Sequence, residues 1–412
     1  MNADGIAAER PHRGPDRRLI VLMITAFMDM VGLLMVIPLL PFYALDLGAN
    51  GFTVTLLVAS YSVAQLVSAP LWGRFSDRYG RRPALLVGLT AASVAYLVFA
   101  YADALWLLFA SRLVQGAGGG TVGVIQAYVA DATHPSDRAK TLGWLSAATN
   151  VGVAIGPVLG SATMGLGRPA PGLVAAALCV VNIGFAWRFL RESRTVSPRS
   201  TGAVPRRSRE AVIRVLSHTT DPASRLIWIY AFAIGAFQAS NAVLALFLAS
   251  RFGVTAKTIG FFFTYIGVIA VVTRALVLGR MVDRFGEVRL SRLGTMLLAA
   301  GLFSLPLTNN LVTLALAVAL LPLGTAFTFP CVTALLSRVT PAHERGLYMG
   351  VQQTFGGITR SVLPALFGLA FDHLWIGSPF WIGGLLVAST LMLGARLGSY
   401  PELTDQPVPP VV

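Results

Sequence analysis

The sequence predicts an all-α membrane protein with twelve transmembrane helices in two pseudo-symmetric six-helix bundles. Three observations predict it. Hydrophobic residues make up 55% of the 412 and charged residues only 12%; a soluble domain carries about 25%, so most of this surface must face lipid. Apolar runs of about 20 residues, each enough to cross a bilayer as a helix, recur along the chain. One short phrase also occurs twice: Gly73-Arg74-Phe75-Ser76-Asp77-Arg78-Tyr79-Gly80-Arg81-Arg82 is echoed by Gly279-Arg280-Met281-Val282-Asp283-Arg284-Phe285-Gly286, at an offset of 206 residues. Duplicated halves are a common plan of transport folds in membranes.

The start of the chain, 1–18, is polar and contains arginine, and reads as a tail. The apolar run after it is too long for a signal peptide and has no obvious cleavage site, so it is expected to remain as a span. The first bundle, 19–190, holds expected spans at 19–43, 53–75, 83–101, 105–130, 140–164 and 172–190. A linker rich in Arg, Ser and Pro, 191–224, divides the chain. The second bundle, 225–398, holds spans at 226–249, 258–280, 290–308, 311–336, 347–371 and 377–397, and 399–412 is a second tail. Both copies of the repeated phrase fall between long apolar runs, at equivalent points of the two sets.

The formal net charge is +14. The basic residues lie between apolar segments rather than along one face, which argues for membrane topology and against a nucleic-acid partner. With the N-terminus inside, the tails, the linker and the loops on that side hold 26 of the 32 Lys and Arg; the opposite side holds Arg168, Arg251 and Lys257. That imbalance predicts cytoplasmic termini. Cys179 and Cys331 lie in apolar stretches without metal-ligand spacing, and no Walker-type phosphate loop is present, so neither a metal, a cofactor nor ATP hydrolysis by this chain is expected. A membrane enzyme is remote for the same reasons.

At Gly73–Arg82 the chain resembles the major facilitator superfamily, whose loop between the second and third helices carries Gly-x-x-x-Asp-Arg-x-Gly-Arg-Arg/Lys. Every fixed position is met; the second copy matches through Gly286 and then diverges. In the fifth span Gly143, Gly152, Gly156, Pro157 and Gly160 are similar to the motif of drug:proton antiporters, with Ser161 where that motif usually ends in glycine. Asp29, Gly32, Pro38 and Pro41 resemble the family's first-helix pattern. Arg112, Gln115 and Gly116 resemble its fourth-helix arginine motif. The resemblance is strongest through about residue 165 and leans toward bacterial tetracycline efflux proteins. Those proteins, by resemblance, carry an acid in the third helix where this chain has Ala95, and a histidine in the eighth where it has Ala270. The resemblance therefore implies a proton-coupled exporter of drugs or other small amphipathic compounds, monomeric, in the inner membrane of a bacterium. Tetracycline-specific efflux, and export of a sugar, amino acid or anionic metabolite, stay open as alternatives.

Individual residues carry the mechanism this implies. Asp29 lies about ten residues into the first span, roughly 15 Å deep at 1.5 Å per residue. A carboxylate there is costly unless paired or hydrated, which suits reversible proton uptake; the plainer possibility is an acid tied to an arginine. Arg112 cannot give up its proton, and either modulates Asp29 or locks its helix against backbone carbonyls. Arg360, near the middle of the eleventh span, is expected at the substrate. Arg274, six residues before Arg280, is expected to snorkel to the interface. Gln115, Asn150, Gln238, Asn241, Tyr265, Gln352 and Gln353 are expected to line the cavity, with Gln126 and Phe327 as further candidates. Gly73, Asp77, Arg78, Gly80 and Arg81 form an expected cytoplasmic latch between the halves, with Asp283 and Arg284 as its weaker twin; simple loop solubility would require the arginines but not the Asp or the paired glycines. The fifth-span glycines allow close helix packing, and Pro157 bends that helix.

Overall fold

The computed structural model describes residues 17–133, 137–190, 192, 204–395, 397 and 400. Most of the tails expected at 1–18 and 399–412, and 193–203 of the linker, lie outside the described residues. Among the described residues there are helices and no strands: α1 (Arg17–Val36), α2 (Leu40–Asp46), α3 (Gly51–Tyr79), α4 (Arg81–Ala100), α5 (Leu105–Ala117), α6 (Thr121–Ala132), α7 (Arg138–Thr163), α8 (Ala170–Phe189), α9 (Val204–Ser217), α10 (Pro222–Phe252), α11 (Ile259–Val272), α12 (Leu278–Ser304), α13 (Leu311–Val339), α14 (Arg345–His373) and α15 (Ser378–Ala395).

Ten continuous helical segments among them are long and apolar enough to cross a membrane. The difference from twelve has two local causes. The expected fourth span is broken into α5 and α6 at Gly118–Gly120, where three consecutive glycines weaken the helix, and neither piece is long enough alone. The expected eighth and ninth spans run together as 259–307, but the chain turns between them at Gly286, whose φ is 75°. Gly80, its counterpart 206 residues earlier, has φ 103° and likewise separates two helices, α3 and α4. Both positions need a residue tolerant of positive φ, which explains why these glycines recur in the repeated phrase. The first span is also interrupted, between α1 and α2 at residues 37–39, where Pro38 cannot donate a helical hydrogen bond.

The first set of helices packs α1 on α7 and α8, α4 on α8, and α3 on α5. The second packs α12 on α13 and α10 on α14 and α15. Two seams join the sets, α3 against α14 and α7 against α11. Exposed Leu, Val, Ile and Trp side chains cover the outside, among them Val67, Trp106, Val180, Leu316 and Leu385, as a lipid-facing surface requires.

The seams close at one end only. At the end opposite α9, the Asp372 carboxylate accepts from the backbone N–H of Gly51 (3.0 Å) and Phe52 (2.8 Å). Ser161 Oγ donates to Ala256 O at 2.8 Å and accepts from Gly260 N at 2.9 Å. A Cβ on Gly260 would run into the Pro157 carbonyl, and one on Gly368 into Thr55. At the α9 end the halves part around a second cavity of about 630 Å³, whose wall includes Pro70, Gly73, Asp77, Gly350 and Gln353, all exposed.

Candidate substrate and proton site

Between the halves lies a mostly apolar cavity of about 410 Å³. Helical periodicity builds its wall. On α1 and just past its end the lining residues are Asp29, Met30, Leu33, Leu34 and Ile37; on α10 they are Phe237, Gln238, Asn241, Ala242 and Ala245. Each set repeats at three to four residues, one face of a helix.

Asp29 is buried and accepts from Thr121 Oγ1 at 3.0 Å. Thr121 is the first residue of α6, so the glycine break in the fourth span brings a helix N-terminus beside the carboxylate, where the helix dipole favours negative charge. Arg112, also on the wall, is 1% exposed. It lies over the Phe99 ring, 6.0 Å from its centroid, and its Nη2 is 3.4 Å from Ser111 Oγ. Asp29 and Arg112 thus share the cavity without forming an ion pair with one another. Gln115 donates to Tyr96 OH at 2.7 Å.

Of the other expected cavity residues, Asn150, Gln238, Asn241 and Arg360 line this space, and Arg360 borders the second cavity as well. Gln353 lines only the second cavity and donates to Tyr230 OH at 3.2 Å. Two expectations need correction. Tyr265 is outside the cavity, with its hydroxyl on Ala315 O at 3.2 Å: it lies off the stripe of α11 that faces inward. Gln352 is buried against Thr333 (3.4 Å) within the second half. Gln126 is exposed and Phe327 is packed with Leu290 and Cys331.

Arg274 also departs from expectation. It does not snorkel; it lines the cavity, and its Nη1 donates to Asn150 Oδ1 at 3.3 Å across the α7–α11 seam. Its signal was in the sequence: Phe263, Ile266, Gly267, Ala270, Val271 and Arg274 form one helical stripe, and all six line the cavity. Tyr61, Gln65 and Thr121 were missed because single polar residues in an apolar span carry no mark of facing a cavity rather than a neighbouring helix.

The repeated loops are tied down within their own halves. Asp77 pairs with Arg81 (3.0 Å), and Arg81 Nε with Asp131 (2.9 Å). The backbone N–H groups of Arg81 and Arg82 donate to Glu192 at 2.9 and 3.0 Å. In the second half Glu287 pairs with Arg338 at 3.0 Å. Arg78 and Arg284 lie over Tyr79 and Phe285, and Asp283 is exposed. On α7, a Cβ at Gly152 would come within 2.7 Å of Phe27 O, one at Gly156 within 2.8 Å of Leu34 Cβ, and one at Gly160 would strike the Met35 carbonyl; at Gly143 it would meet nothing within 4 Å. Three of the four motif glycines therefore hold α7 against the backbone of α1.

Comparison with known proteins is consistent over about nine-tenths of the chain. The sequence profile of the Major Facilitator Superfamily matches residues 22–277 and 226–410. The chain is 31% identical over 381 residues to "Tetracycline resistance protein, class B" of Escherichia coli, covering 90% of this chain and 94% of that protein. It is 28% identical over 374 residues to "Multidrug resistance protein 2" of Bacillus subtilis (strain 168), covering 89% and 92%. Among solved structures, a POT family transporter in complex with 5-aminolevulinic acid superposes with a TM-score of 0.78 at 14% identity, covering 96% of this chain and 99% of that one, a likeness of fold.

Proposed function

The chain belongs to the Major Facilitator Superfamily, and from that premise we propose that it is a proton-coupled exporter of drugs or other small amphipathic compounds, working by alternating access. One observation carries the proposal: a single buried carboxylate, Asp29, faces the central cavity, hydrogen-bonded to Thr121 and without an ion-pair partner among the described residues. A lone ionisable acid at membrane depth is costly as a structural element and useful as a proton carrier. The names of the relatives, tetracycline and multidrug resistance proteins, support export of foreign compounds. The positive-inside imbalance supports cytoplasmic termini, and the family supports a monomer in a bacterial inner membrane, driven by the proton gradient without a cofactor.

In that orientation the α9 end is cytoplasmic. Substrate enters past Gln353 and Arg360 and settles in the central cavity. Protonation of Asp29 from the outside then accompanies release, as the halves rock about the α3–α14 and α7–α11 seams. Gly73, Asp77, Arg78, Gly80 and Arg81, with Asp283 and Arg284, act at the cytoplasmic mouth, closing it when the far end opens. The glycine-packed α1–α7 pair keeps Asp29 in a rigid wall that resists proton leak.

Tetracycline-specific export is the second reading, favoured by the 31% relative. Ala270 lies on the cavity wall where the resemblance implies a histidine in tetracycline exporters, and Ala95 is fully buried; both leave the cavity without those partners for a metal-chelated drug. The deciding experiment is efflux from proteoliposomes under an imposed proton gradient, with a drug panel that includes tetracycline. Gradient-dependent efflux that disappears in Asp29→Asn supports the proposal; full efflux by that variant refutes Asp29 as the coupling group. Efflux of tetracycline alone establishes the second reading.

A further inference from the structure

Three guanidinium groups, those of Arg112, Arg274 and Arg360, line the central cavity against the single carboxylate of Asp29. Among the described residues none of the three has an acidic partner within 4.0 Å. Whether Asp29 is charged or neutral, the cavity is net positive by two or three charges. In a space of about 410 Å³ with apolar walls, such a field is only weakly screened and disfavours a cationic guest.

Arg274 is the best placed of the three. It ends the cavity stripe of α11 at the point where the helix departs from α geometry: residues Thr273–Val277 form a π turn closed by Leu278 N on Thr273 O. Such turns are uncommon and frequent at functional sites. The guanidinium is held by one neutral acceptor, Asn150 Oδ1 at 3.3 Å, a weak bond for a charged donor, and its Nε is buried without a hydrogen-bond partner. Asn241, on the same wall, also has a buried oxygen without a donor. Arg360 borders both cavities, so it stands on the path from the α9 end inward.

We propose that the transported compound is an amphipathic acid, and that its anionic group is seated on Arg274 after passing Arg360, displacing Asn150 from the guanidinium. This deepens the exporter reading and rests on it for direction of movement. An anion on Arg274 gains a charge-assisted, two-pronged contact that Asn150 cannot offer. Because the Arg274–Asn150 bond crosses the α7–α11 seam, arrival of cargo also removes one tie between the halves. Binding is thereby linked to the rocking motion through a named pair.

The test uses the full chain in detergent and two probes that differ in charge and by one methyl group, 11-(dansylamino)undecanoic acid and its methyl ester, with dissociation constants read from dansyl fluorescence. Wild type should bind the acid roughly tenfold or more tightly than the ester, the scale of one good charged contact. Arg274→Gln should abolish that preference, bringing the affinity for the acid down to that for the ester, and a thermal unfolding midpoint near that of wild type shows that the variant is folded. Arg274→Lys should restore part of it, and Asn150→Ala should keep or increase it, since Asn150 only competes for the same guanidinium. Arg360→Gln should slow association of the acid; an unchanged rate overturns the path of entry. Equal binding of acid and ester by wild type, or a parallel loss of both in Arg274→Gln, overturns the proposal. No proton gradient is applied, so a protein that selects the acid yet exports nothing under a gradient refutes the exporter reading and leaves this one standing.

Discussion

Thr121 Oγ1 donates to Asp29 Oδ2 at 3.0 Å, joining the middle of α1 to the start of α6. A hydrogen bond to a charged group contributes about 1.5–3 kcal/mol. Thr121→Val keeps the shape and removes the donor. Gradient-driven efflux is expected to fall severalfold in that variant and to stay near wild type in Thr121→Ser. Initial rates in proteoliposomes decide; wild-type rates for Thr121→Val would rule out a part for this bond.

Asp372 caps the first turn of α3 from the opposite half. Losing a capping carboxylate costs a helix about 0.5–2 kcal/mol, and here the cost falls on one conformation, because the bonds exist only while this end is shut. Asp372→Ala should shift the population toward the state open at that end. Thiol labelling of a cysteine introduced at Val58, on the cavity wall, by a membrane-impermeant reagent added on that side should rise severalfold.

Gly160 approaches α1 so closely that any side chain meets the Met35 carbonyl, whereas a Cβ at Gly143 meets nothing within 4 Å. Gly160→Val should destabilise the fold by about 1–3 kcal/mol, the usual penalty for overpacking, and lower the yield of folded protein. Gly143→Val should not. Thermal unfolding of the purified variants compares the two; equal midpoints would remove the distinction drawn within this motif.

The duplicated loops carry the same kind of ion pair with reversed sign: Arg81 with Asp131, and Glu287 with Arg338, at positions 206 and 207 residues apart. Arg81 also meets Asp77 and Ser76 and its side chain is only 12% exposed; Arg338 is 36% exposed. Partly exposed pairs contribute about 1 kcal/mol or less. Arg81→Gln removes contacts to Asp77, Asp131 and Ser76, whereas Arg338→Gln removes one contact and leaves the 13%-exposed Glu287 unpaired, so both should lower the unfolding midpoint, Arg81→Gln by more. A larger loss in Arg338→Gln would contradict this ranking.

The fold was legible because lipid imposes a length and a polarity on every span, and because the halves repeat. Boundaries moved where glycine or proline acts locally: at Gly118–Gly120, at Pro38 and at Gly286. The site was legible where a charge sits in an apolar run, as for Asp29, Arg112 and Arg360. Arg274 departs from expectation because distance along the chain to Arg280 does not set direction, whereas the stripe it shares with Phe263, Gly267 and Ala270 turns it toward the cavity. Tyr265 and Gln352 show the converse: a polar group in a span finds a backbone carbonyl or a neighbouring hydroxyl as readily as a cavity. The charge reversal at Glu287 was visible as a departure from the repeated phrase, but its partner Arg338 is 51 residues away and only the packing of α12 on α13 unites them.

The closure at Asp372 and Ser161 has a pharmacological consequence. In the proposed orientation, with the α9 end cytoplasmic, a blocker applied outside the cell meets the closed seams at Asp372 and Ser161, and one too polar to cross the bilayer has no way in. Compounds designed against this state must first permeate the membrane and then compete from within, whereas an impermeant compound can act only on the opposite state, during whatever fraction of the cycle those seams stand open.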